Sequence, residues 1–176
     1  APPVDRTIEM ALGQFPDGRV VLRTALRSPP NASARLELFN GRTFESFLEL
    51  PAPTSPDDKL SFLAGAASGD LWLGTSTGPR LYRDQKWQAF TRSEGDIGEA
   101  ALCFLDVGEG RVWCGGVDRI FEYDGKSWRL VRAGFDRIHA LIKGRDGSVW
   151  VATGNGLARY FKGSWMFTGI EDGLPS

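Results

Sequence analysis

Between residues 146 and 165 the chain reads DGSVWVATGNGLARYFKGSW, a series of short apolar runs cut at near-regular intervals by glycine turns. The turns fall at Asp146-Gly147, Gly154-Asn155-Gly156 and Lys162-Gly163, and a β-prone run centred on Trp150 lies between the first two. Three turns separating four short runs predict a small antiparallel meander. Helical spacing of apolar residues is essentially absent from the whole chain.

The pattern recurs. Trp72 lies in SGDLWLGT, Trp113 in EGRVWCGG and Trp150 in DGSVWVAT. A tyrosine follows each of them after ten residues (Tyr82, Tyr123, Tyr160) and a second tryptophan after fifteen (Trp87, Trp128, Trp165). A weaker copy comes first, with Val21 in the tryptophan position and Phe39-Asn40-Gly41 and Phe44 mirroring Tyr123-Asp124-Gly125 and Trp128. Its extra length lies near LRSPPNAS, whose Pro-Pro-Asn is loop chemistry. The four positions are 51, 41 and 37 residues apart, the range of a four-stranded propeller blade. The alternative is a β-sandwich whose repeat is coincidental.

Each copy divides into four strands. The first runs, 10–12, 60–64, 101–105 and 138–142, are apolar almost throughout, which predicts strands covered on both faces. The second strands centre on Val21, Trp72, Trp113 and Trp150, the third end on Phe39, Tyr82, Tyr123 and Tyr160, and the fourth begin at Phe44, Trp87, Trp128 and Trp165. Polar neighbours such as Gln88 and Arg129 mark the fourth as the outer strands. The expectation is an all-β propeller with blades at about 8–50, 59–95, 100–134 and 137–170.

Composition narrows the function. The 176 residues carry a net charge of -1, with arginines scattered among acids, so the footprint of a nucleic-acid or membrane-surface binder is missing. No apolar run has the length to span a bilayer. The 22 glycines and 10 prolines suit a chain of many turns. Two cysteines and one histidine supply neither a zinc site nor a disulfide framework, and no calcium or phosphate loop is present, so no metal or cofactor is expected.

On Gly69-Asp70-Leu71-Trp72-Leu73-Gly74-Thr75, on SVWVATGNGLARY with its following GSW, and on the tail EDGLPS, the chain resembles the two-component regulator propeller repeat. The third copy departs from that pattern, with Cys114-Gly115-Gly116 for the x-G-T and Arg119 where Gly78 and Gly156 stand; the first keeps little beyond an Asp-Gly turn. The resemblance implies a recognition or signal-relay module in the periplasmic or extracellular sensor region of a bacterial regulator, not an enzyme. Such propellers usually have more than four blades. The tail Gly173-Leu174-Pro175-Ser176 aligns with 134–137, just before a first strand, as if a fifth blade followed. Two arrangements stay open: four blades closing on themselves, or part of a larger ring that meets further blades or another copy of the chain.

The tryptophans, periodic and on strands, are expected to pack blades together, each burial contributing about 2–3 kcal/mol. His139 is read as a hydrogen-bonded structural residue first and a channel-lining ligand contact second. A two-residue turn at Gly108-Glu109 would set Cys103 opposite Cys114, as buried thiols in preference to a strained cross-strand disulfide. The acids 57–58, 94–99 and 171–172 are read as solvated turn residues, the alternative being a glycosidase pair across one cleft. Ligand binding then falls to loops, either between second and third strands (75–80, 116–119, 153–156) or between blades (51–59, 92–99, 132–137). Arg80, Asp118, Arg119, Asp136, Arg137 and His139 are the candidate contacts for a small polar or carbohydrate ligand. The other readings are a protein–protein scaffold without small ligand, and a propeller-borne glycosidase or lyase.

Overall fold

A computed structural model describes residues 6–14, 19–26, 35–50, 58–90, 94–169 and 172. Sixteen strands among them form four four-stranded antiparallel sheets, each in simple meander order. The first sheet holds β1 (Arg6–Gln14), β2 (Val20–Leu26), β3 (Arg35–Phe39) and β4 (Phe44–Glu49). The second holds β5 (Leu60–Gly65), β6 (Leu71–Thr75), β7 (Gly78–Arg83) and β8 (Lys86–Ala89). The third holds β9 (Cys103–Gly108), β10 (Arg111–Gly115), β11 (Arg119–Tyr123) and β12 (Trp128–Ala133). The fourth holds β13 (Ile138–Lys143), β14 (Val149–Thr153), β15 (Gly156–Phe161) and β16 (Ser164–Thr168). These are the four blades the repeat predicts. The 27–34 loop, the 51–57 part of the first inter-blade connection and the 173–176 tail lie outside the described residues.

Residues 1–54 form one compact unit and residues 55–176 another. In the first, Leu12, Val21, Leu36 and Leu38 are buried, and Thr24 donates a hydrogen bond of 2.5 Å to Glu37, also buried. In the second, the sheets stack face to face. Trp72 and Leu81 of blade 2 close a core with Phe104, Val112, Cys114, Phe121, Tyr123 and Trp128 of blade 3. The opposite face of blade 3 (Cys103, Trp113 and Ile120) closes a second core with Ile138, Leu141, Val149, Val151 and Ala158 of blade 4. Alternation along each strand sends one set of side chains to each neighbour. The first strands β5, β9 and β13 lie side by side.

Three expectations change. The most buried strands are the second ones, not the first: β6 is buried throughout, whereas β13 exposes His139, Ile142 and Lys143. A second strand has a strand on each side, while a first strand is a sheet edge. The inner strand of the third copy starts at Cys103, because the Ala101 N–H instead bonds the Thr75 carbonyl of blade 2 at 3.0 Å. The cysteine pair is also out of register. The hairpin turns on Glu109 and Gly110, both at positive φ, which moves the expected register by two positions, and a bulge at Val107 takes one of them back. Cys103 therefore pairs with Gly115 and Cys114 with Phe104, which puts the thiols on opposite faces of the sheet. Both are free and buried. Gly115 is dictated by this packing, since a Cβ there would sit 2.6 Å from the Cys103 sulfur.

Candidate functional site

The turns between second and third strands and the connections between blades share one rim of the 55–176 unit, tied by a recurring device. In blade 2, Asp58 accepts from Thr77 Oγ1 at 2.9 Å and pairs with Arg80 at 3.4 Å. In blade 3, Glu99 accepts from the Val117 N–H at 3.1 Å and pairs with Arg119 at 2.9 Å. In blade 4, the Gly154 N–H donates to the carbonyl of Asp136 at 2.6 Å. Each connection is thus fastened to the turn of the blade it enters.

The candidate residues separate on this rim. Arg80 is buried at 6% exposure and also donates to Thr77 at 2.9 Å, which makes it part of the scaffold. Asp118, Arg119, Asp136 and Arg137 come together, because the 134–138 connection lies against both turns. Its Phe135 N–H bonds the Asp118 carbonyl at 3.1 Å and its Ile138 N–H the Val117 carbonyl at 2.9 Å. Asp118, Asp136 and Arg137 are exposed, and Arg119 half-exposed. Arg137 holds a positive φ of 43°, a conformation uncommon for a residue with a Cβ. His139 follows in a bulge of β13 and points to solvent.

Beside this group lies a cleft of about 220 Å³, lined by Phe135, Asp136, Thr153, Asn155, Leu157 and Phe167. Phe135 and Phe167 are 6.2 Å apart, and the Arg132 guanidinium lies 4.8 Å over the Phe167 ring. An apolar wall with an acid and an amide at its edge can face a sugar ring on one side and hold its hydroxyls on the other. Asn155 and the two phenylalanines were not among the sequence candidates; the glycine turn at 154–156 flagged the place and not the wall.

At the opposite rim, sequence reasoning passed over a cavity of about 170 Å³ between blades 2 and 3. Its lining includes Asp70, Trp72, Arg83, Asp106 and Tyr123. Arg83 forks onto Asp70 through two hydrogen bonds of 2.9 and 2.6 Å, which hold that carboxyl below its usual range. Burial raises the Tyr123 hydroxyl, against the pull of the Arg83 charge. Of the turn acids, Asp96 accepts from the Gly98 N–H and Asp172 from the Gly169 N–H, while Asp57 and Glu171 lie outside the described residues; Asp106, in β9, accepts from the N–H groups of Ala67 and Gly108.

No known family profile matches the chain, and no characterised protein sequence is similar to it. Solved structures do match. The extracellular domain of a putative hybrid two-component system from B. thetaiotaomicron superposes with a TM-score of 0.64 at 17% identity, over 100% of this chain and 22% of that one. A second such domain from the same organism gives 0.65 at 14%, over 97% and 29%. A catalytically inactive virginiamycin B lyase from Staphylococcus aureus, solved with quinupristin, gives 0.65 at 14%, over 97% and 58%. The fold is a β-propeller fold. The chain spans between about a fifth and three fifths of the length of these propellers.

Proposed function

We propose that the chain is a non-catalytic recognition or signal-relay propeller module of a bacterial extracytoplasmic sensor, and that it takes a small polar or carbohydrate ligand at the blade 3–blade 4 rim. The observation that carries this reading is the cleft itself: Phe135 and Phe167 form its wall, with Asp136 and Asn155 at its edge. Two of the matched structures are extracellular sensor domains, which supports the compartment and the role. The ionisable side chains of the rim stand on loops fastened to the blades, an arrangement suited to reading a ligand without rearrangement.

Calorimetric titration against mono- and oligosaccharides tests it. Binding heat is expected with at least one sugar, and Asp136→Ala and Asn155→Ala should abolish it while leaving the melting temperature unchanged. Absence of heat from every sugar and small polyol tried would remove the ligand and leave the scaffold reading. The likeness to virginiamycin B lyase favours a catalytic alternative, for which His139 is the one histidine available as a base. Cleavage of quinupristin, lost in His139→Ala, would establish that alternative.

A further inference from the structure

Most carboxylates of the 55–176 unit are committed. On the blade faces Asp70 is held by Arg83, Glu122 by Arg129 and Asp146 by Arg159. At the rim Asp58, whose side chain is 5% exposed, pairs with Arg80, and Glu99, at 10%, pairs with Arg119. In the cavity between blades 2 and 3, Asp106 accepts from two backbone N–H groups and Glu109 pairs with Arg111. The reason is physical: a carboxylate leaves water as an ion only where a cation or a set of donors replaces its hydration.

Asp136 departs from this rule. It lines the cleft of blade 4 and is the one charged side chain among the described residues that do. Its carboxylate has neither a hydrogen bond nor an ion pair among those residues. Arg119 is held by Glu99 and Asp118, Arg132 lies 4.8 Å over the Phe167 ring, and Arg137 does not line the cleft. The backbone fixes where the free carboxylate stands. The Gly154 N–H donates to the carbonyls of Asp136 and Arg137 at 2.6 and 3.1 Å, and a Cβ on Gly154 would come within 2.7 Å of Asp136 Oδ2. A glycine at 154 thus makes room for the acid. Asn155, next in the turn, is exposed with its amide unengaged, and Phe167 is 52% exposed.

We propose that this cleft selects a ligand carrying a protonated amine, an amino sugar in preference to a neutral or acidic one. The proposal rests on the ligand reading above and narrows it. A ligand that covers Asp136 takes the carboxylate out of water, and no cation in the lining replaces that hydration, so the counter-charge has to arrive with the ligand. The ammonium then donates to Asp136, Asn155 takes a neighbouring hydroxyl, and the apolar face of the sugar ring lies on Phe167.

Calorimetric titration of the 176-residue chain at about pH 6, where a sugar amine is protonated, compares glucosamine with glucose, N-acetylglucosamine and glucuronate. Glucosamine is expected to bind about tenfold more tightly than glucose, the difference between a charged and a neutral hydrogen bond. N-acetylglucosamine keeps the ring and loses the charge, and should fall to the level of glucose or below; glucuronate should bind most weakly. Asp136→Asn, which keeps shape and an acceptor, should bring glucosamine down to the level of glucose with an unchanged melting temperature. Asp84→Asn, at an exposed acid in the β7–β8 turn of the opposite rim, should leave the preference intact. Glucose or N-acetylglucosamine binding as tightly as glucosamine would overturn the preference and leave the ligand reading standing. A preference that survives Asp136→Asn, or is lost equally in Asp84→Asn, would overturn it as well. No heat from any of the four, nor from the wider set of sugars and polyols, would remove the ligand reading itself and the preference with it.

Discussion

Trp113 and Trp150 hold the same position in successive repeats and sit on central strands of equal length, yet one is sealed and the other open. Their own sheets do not make the difference. Trp113 is closed by Tyr160 and Trp165, residues of the next blade, and its indole N–H donates to Glu122 at 2.8 Å. Trp150 has the same strand geometry, with the Arg159 guanidinium 5.5 Å over its ring and 37% of its surface exposed. A repeat of this kind therefore encodes half of two interfaces, and a residue's energetic weight depends on which half is matched.

Removing the tryptophans one at a time should break the likeness most sharply. Trp72→Ala deletes a ring packed against four aromatic partners and is expected to cost about 3–5 kcal/mol in denaturant unfolding. Trp113→Ala should fall in the same range, because it also takes a donor from the buried Glu122. Trp150→Ala is expected to cost less than about 1 kcal/mol, as a change on an open surface. Equal losses at Trp113 and Trp150 would mean that blade 4 is held by something other than its contact with blade 3.

Acid should act next in size, and on the same set of pairs. Hydrogen bonding from Arg83 lowers Asp70. Burial alone would raise Glu122, but hydrogen bonds from Arg129 and Trp113 outweigh it and leave it lowered. Asp146 drops to about 2, first through the Ser148 hydroxyl and backbone and then through Arg159. A carboxyl lowered in the folded state contributes stability above its unfolded value, near 4, and loses it as the pH falls through the folded value. Stability should thus be flat near neutrality and decline from about pH 4 towards pH 2. Glu122→Gln should flatten this decline more than Asp146→Asn, whose carboxylate stands in solvent where screening weakens the pair. A decline unaffected by Glu122→Gln would detach the acid response from the blade faces.

The repeat made the fold legible because it is local: turn glycines, a tryptophan and an aromatic pair recur at fixed spacing, and these alone give sheets of four strands. What the sequence did not disclose depends on neighbours. Nothing near Trp150 distinguishes it from Trp113, since what seals Trp113 is the Tyr160 and Trp165 of the following blade. The Cys103–Cys114 register turned on the place of the hairpin turn, at Glu109-Gly110, and on a bulge at Val107, neither visible to a count that assumes a regular ladder. At the rim, the sequence identified loops and charges. It did not separate Arg80, drawn inward by Asp58, from Asp136, left at the edge of a cleft.

The same bulge supplies the finest measure of the comparison. Because Cys103 and Cys114 face opposite ways, each thiol reports one interface: Cys114 lies in the blade 2–blade 3 core, and Cys103 in the blade 3–blade 4 core. Burial pushes the Cys103 thiol up to about 11 and raises Cys114 as well, so neither forms a reactive thiolate at neutral pH. Native protein should leave a thiol reagent unconsumed. In denaturant too weak for global unfolding, labelling reports local opening, and blade 4, packed in this unit on one face only, should open more readily than the interior pair. Cys103 is therefore expected to label before Cys114, and Trp150→Ala, which touches neither core, should leave the order and the interval unchanged. Labelling of both thiols at one rate would show that the three blades open as a single unit, and Cys114 reacting first would place the weak seam between blades 2 and 3.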